Sequence, residues 1–112
     1  MEGWNRQQLK DAITELIAKW EQVIGRQVPQ WTVRRMKTKW GTCNRESGQI
    51  WLNLELAKKH PRCLEYIVVH EMAHYLQRAH DDAFTEVLAK FVPDGRARRD
   101  ELNSAPLKQE EW

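Results

Sequence analysis

Residues 64 to 76 form an almost unbroken apolar run, and His70-Glu71-Met72-Ala73-His74 is set inside it. A helix that is apolar nearly all round has to be buried, so the rest of the chain must be wrapped around this one segment. Two histidines four apart stand one turn above each other on the same helix face, close enough for both imidazoles to reach one metal ion. Burying two imidazoles and a carboxylate without partners would cost several kcal/mol, and a shared cation supplies the compensation. Glu71, offset by about 100° from His70, flanks such an ion instead of ligating it. From there it can accept a proton from water. The pattern is that of a catalytic zinc helix.

A catalytic zinc site takes three protein ligands and leaves a position open. His80 is the leading candidate for the third. It lies six residues after His74, too far along to share the face, so the helix is expected to end near Arg78 and the chain to turn back. Asp81 and Asp82 can cap a following helix whose apolar positions Ala83, Phe84, Val87, Leu88 and Phe91 share one face. The carboxylates of Asp82 and Glu86 compete with His80 for the role. The spacing from His70 to His80 is in register with the metzincin pattern H-E-x-x-H-x-x-G-x-x-H. Gln77 stands where that pattern needs glycine, however, and no methionine follows Met72. The ligand order is shared and the clan is not.

With 112 residues, the chain is expected to form a single domain over residues 1–102, followed by a loose tail at 103–112. A net charge of +2 is too mild to mark a nucleic-acid binder. No apolar run reaches the length of a membrane span, and the polar start is no signal peptide, so a cytoplasmic location is the expectation. Cys43 and Cys63 lack the paired C-x-x-C form of a structural zinc site and are expected to be free thiols.

Leu9, Ile13, Leu16, Ile17, Trp20 and Ile24 recur at helical spacing, and Gly25 supplies a stop. Extended segments are expected at residues 31 to 37, 39 to 43 and 49 to 54, the last two joined by a hairpin loop at Asn44-Arg45-Glu46-Ser47-Gly48. In the third, Ile50, Leu52 and Leu54 point to one face, Trp51 and Asn53 to the other. Pro61 opens the histidine-bearing helix, and Val92-Pro93-Asp94-Gly95 reads as a turn before a short helix ending at Leu102. The basic residues Arg34, Arg35, Lys37 and Lys39 read first as a solvated strand face that blunts an edge.

Three separated blocks carry a family resemblance: Met36-Lys37-Thr38-Lys39-Trp40-Gly41-Thr42-Cys43, then Gly48-Gln49-Ile50-Trp51-Leu52-Asn53, then Leu64-Glu65-Tyr66-Ile67-Val68-Val69-His70-Glu71. Together they resemble the YgjP-like metal-dependent hydrolases, a group similar to the WLM and SprT zincin-like metallopeptidases. The resemblance spans residues 33 to 102. It departs at Ala79-His80-Asp81, where relatives run Asn-His-Ser, and at Thr85, where they carry tryptophan.

The resemblance implies an α+β fold with a small zincin-like core. In it a short antiparallel-edged β-sheet packs against an N-terminal helix and the HExxH helix. It also implies zinc (Zn2+) on His70, His74 and His80, with Glu71 as general base. The function expected is that of a zinc metallopeptidase acting on a peptide or protein substrate. An extended peptide could add to the sheet edge at residues 49 to 54. Tyr66, Tyr75 and Arg78 are the available oxyanion donors. Two other readings keep the metal: a nucleoside triphosphate pyrophosphohydrolase using residues 34 to 39 to hold phosphates, and a non-catalytic module binding protein or nucleic acid.

Overall fold

The computed structural model describes residues 3–104, so all but the first two positions of the expected tail lie outside the described residues. Helix α1, Arg6–Ile24, begins at a capping box in which Asn5 and Gln8 satisfy each other's backbone N–H groups. It ends at Gly25, whose φ of 79° is a left-handed conformation that glycine adopts without strain. Leu9, Ile13, Ile17, Trp20 and Ile24 form its buried stripe, the set that the spacing predicts except for Leu16, which is half-buried.

Strands β1 (Trp31–Arg34), β2 (Gly41–Cys43) and β3 (Ile50–Asn53) form a mixed sheet in the order β1-β3-β2. β1 runs parallel to β3, with Val33 beside Leu52, and β2 runs antiparallel to it, with Thr42 beside Trp51. The first two strands are shorter than expected, because Met36 and Lys39 give their backbone carbonyls to the Asn53 side chain instead of to a ladder. Asn53, fully buried, thus ties the crossing between β1 and β2 to the end of β3. A more consequential difference concerns the edge. β3 is the central strand, so residues 49 to 54 are not free to pair with an added peptide; β1 and β2 are the edges.

A 3-10 helix, Leu54–Lys58, leads into α2, Pro61–Ala73. Pro61 occupies the first turn, where its missing N–H is not needed, and the His60 Nδ1 accepts from the Arg62 N–H at 3.1 Å. Every α2 residue from Cys63 to Ala73 except Glu65 is buried. α1, α3 (Asp82–Phe91), α4 (Gly95–Leu102), β2 and β3 all pack against it. α2 stops at Ala73, five residues before the expected end near Arg78. The N–H groups of Tyr75 and Leu76 reach back only three residues, to Met72 and Ala73, so the helix tightens and lets go. Asp81 caps α3 by accepting from the Phe84 N–H at 3.0 Å. Among the described residues no helix is long and apolar enough to cross a membrane.

Candidate metal centre

α2 presents His70, Glu71 and His74 from its buried C-terminal turn, and each offers an atom within 4.8 Å of the others. The reversal after α2 brings His80 back over them, with its Nε2 3.2 Å from the His70 Nε2. The three imidazole rings therefore cluster, with centroids 5.2 to 5.9 Å apart, and His80 joins the His70–Glu71–His74 group through His70. Asp82 and Glu86, the competing carboxylates, lie exposed on α3 and take no part in lining the cavity there. The fourth histidine, His60, is the α2 cap.

Hydrogen bonds orient the rings. His74 Nδ1 lies 3.3 Å from the Gln77 carbonyl, which fixes the proton on Nδ1 and leaves Nε2 with a free lone pair. His70 Nδ1 lies 3.2 Å from Glu71 Oε2. Phe84 packs against all three imidazoles: it stacks on His74 with centroids 4.4 Å apart, and stands 4.7 Å from His80 and 5.1 Å from His70. Burial, with Glu71 opposing and His70 adding, holds the His74 pKa below its usual value. Burial and then His70 do the same for His80. Both rings are thus kept in the neutral form that binds metals.

The site opens into a cavity of about 630 Å³. Of the three suggested oxyanion donors, only Tyr66 lines it. Burial raises the pKa of its phenol, partly offset by Arg99, so it remains a donor. The Tyr75 hydroxyl is spent on the Gly48 carbonyl, and Arg78 is exposed on the turn. Cys43 also faces the cavity, its thiol pushed up to about 11 by burial and by Glu71. Gly41 packs directly on the carboxylate: a Cβ there would meet Ile67 Cγ2 at 3.0 Å and Glu71 Oε2 at 3.3 Å. Of the basic residues at 34 to 39, only Lys39 reaches the cavity, while Arg35 turns to Glu55 at 3.5 Å.

Sequence reasoning missed Phe84 as part of the site, and missed Arg45, Arg96 and Arg99 on the cavity wall. Phe84 reads as an ordinary core position by periodicity. The arginines carry no spacing signal, since their place depends on how α4 and the hairpin loop fold back.

The sequence matches the model of the YgjP-like metallopeptidase domain over residues 1–105. No curated protein matches it. In structure it is similar to the metallopeptidase zymogen abylysin of Pyrococcus abyssi, with a TM-score of 0.70 at 22% identity, covering 79% of this chain and 89% of that one. It is also similar to the metallopeptidase zymogen jannalysin of Methanocaldococcus jannaschii, with a TM-score of 0.57 at 21% identity, covering 74% and 80%.

Proposed function

This chain belongs to the YgjP-like metallopeptidase family, and from that premise we propose that it is a zinc-dependent peptidase in which His70, His74 and His80 hold the metal and Glu71 is the general base. The observation that carries the assignment of residues is the buried His70–Glu71–His74 group, with His80 Nε2 brought to 3.2 Å from His70 Nε2 by the turn after α2, all four lining a single cavity. Two nitrogens bound tetrahedrally to one zinc stand about 3.4 Å apart, and His70 Nε2 and His80 Nε2 are 3.2 Å apart. Neutral imidazoles, with His74 fixed in the tautomer that frees Nε2, suit zinc well.

When bound, zinc supplies Lewis-acid polarisation of a carbonyl oxygen and makes water more acidic. Glu71 takes the proton of the attacking water on its carboxylate and passes it to the leaving amine nitrogen. Tyr66, the one of Tyr66, Tyr75 and Arg78 that lines the cavity, serves as a donor to the developing oxyanion.

The substrate backbone is held at β2. In the β2–β3 ladder Trp40 and Asn44 bond to Asn53 and Gln49. By antiparallel alternation Thr42 also faces β3, and the backbone groups of Gly41 and Cys43 point to the open edge. A peptide adding there would pass directly over Glu71. The two free thiols are in keeping with a cytosolic location.

The test is metal content by mass spectrometry, read beside cleavage of a peptide library by the zinc-loaded chain. One zinc per chain is expected, lost or much weakened in His74→Ala and His80→Ala. Glu71→Gln should keep the metal and lose on the order of 10²–10⁴-fold in kcat. A Glu71→Gln protein as active as the wild type would sink the mechanism.

A further inference from the structure

The charge on the cavity wall is one-sided. Lys39, Arg45, Arg96 and Arg99 line it, and among the described residues Glu71, buried against the imidazoles, is the sole carboxylate that does. Over the whole chain cations exceed anions by only 18 to 16, so the imbalance is local. Two of the cations belong to the β2 segment: Lys39 lies two residues before Gly41, and Arg45 four residues after it in the hairpin loop. The other two stand one turn apart on α4 and so share a helix face. Lys39, Arg45 and Arg96 are exposed, and none of them has a carboxylate partner among the described residues.

Exposed cations such as Lys39, Arg45 and Arg96, set along one concave wall, repel one another and concentrate anions in the cleft. They line the same cavity as Gly41, Thr42 and Cys43 of β2, along which the proposed peptide runs. We propose that this cleft selects acidic peptides, with Asp or Glu side chains within about four residues on either side of the bond lying over Glu71. Arg45 and Arg96 act as specificity residues, one reaching the substrate from the hairpin loop and one from α4. The proposal rests on the peptidase reading of the site and narrows its substrate class.

The experiment uses short quenched-fluorescent peptides with a common apolar centre and Glu, Gln or Lys at the outer positions, turned over by the zinc-loaded chain. At low salt the Glu peptide is expected to exceed its Gln isostere by about tenfold or more in kcat/KM, with the Lys peptide slowest. The preference should shrink as salt is raised to about 0.3 M, because the rim charges are screened. It should fall toward one in the Arg45→Gln/Arg96→Gln double variant and persist in Lys10→Gln, a cation of α1 outside the cleft. Equal turnover of the Glu and Gln peptides by the wild type would overturn the proposal and leave the peptidase reading standing. If no peptide is cleaved, fluorescence anisotropy of the same peptides with zinc-loaded Glu71→Gln separates the two ideas. A salt-sensitive preference for the Glu peptide then supports the acidic cleft without the peptidase, and equal binding overturns it.

Discussion

Gly41 occupies a position where one methyl group would reach the chemistry. Its missing Cβ leaves room for the Ile67 methyl and the Glu71 carboxylate, which would otherwise be met at 3.0 and 3.3 Å. Ile67 is fully buried and cannot give way, whereas Glu71 can rotate, so the strain of a Gly41→Ala substitution should be relieved by displacing the carboxylate. We expect kcat to fall by about 10- to 100-fold, since a shift near 1 Å in a general base is enough for that. Zinc content should stay at the wild-type level, because the atoms that a Cβ at position 41 would meet first belong to Ile67 and Glu71 and not to an imidazole. Steady-state kinetics paired with metal analysis checks this; a variant that keeps full kcat would show that the carboxylate has slack. Phe84 acts on the other side of the same group, its ring against all three imidazoles fixing where their nitrogens converge.

Three of the four α-helices, α1, α2 and α4, meet at a single carboxylate. Glu65, the one half-exposed position in the α2 run from Cys63 to Ala73, accepts from Lys19 and Trp20 of α1 at 2.8 and 2.9 Å and from Arg98 of α4 at 3.1 Å. Burial alone would raise its pKa, but the three hydrogen bonds more than offset that and hold it below the usual value of 4.5. A depressed carboxylate adds stability that is fully present above its unfolded pKa and is lost as pH falls through the folded one. Glu65→Gln should therefore be less stable than the wild type by about 1–3 kcal/mol at pH 7, with the gap closing as the pH drops below 4.5. Urea denaturation of both proteins from pH 7 to pH 3 measures it; a gap independent of pH would mean that shape, not charge, does the holding. The elements so clamped are legible in the sequence wherever the signal is local. The stripe from Leu9 to Ile24, the stop at Gly25, Pro61 at the start of α2 and the hairpin loop at 44–48 are set by periodicity, caps and turns. Strand order is not local. Alternation at Ile50 and Leu52 marks a strand but does not say what flanks it, so residues 49 to 54 read as an edge and prove central. The end of α2 escaped for a related reason. No glycine or proline marks it, and the chain leaves the helix through tightened turns at His74, Tyr75 and Leu76. His70 and His74 are legible from spacing and burial cost, and His80, which is exposed, only from the need for a third ligand, whereas the cationic wall is not legible, because it joins a loop to a distant helix.

One continuous core runs from Leu9 and Ile13 of α1 through Leu64 and Ile67 of α2 to Leu102 of α4, with Ile50 and Leu52 of the sheet against it. Such a core does not depend on a metal in the way a zinc finger does, so the chelated protein should remain folded and unfold cooperatively. Zinc would nevertheless bind only the native chain, since His80 meets His70 and His74 only when the α2–α3 turn is in place. Free zinc at about 100 times its dissociation constant adds about 2.7 kcal/mol. For a chain of this size that corresponds to roughly 10–20 °C in Tm. Because α2 packs against α1, α3, α4, β2 and β3, the gain should appear as a shift of the whole transition and not as a second, local one. Scanning calorimetry with zinc, with a chelator, and on His74→Ala tests this. The wild type should lose the shift when chelated, and His74→Ala should show little shift at any zinc level. A Tm indifferent to zinc in the wild type would mean that the three imidazoles do not share an ion, and the catalytic assignment would fall with it.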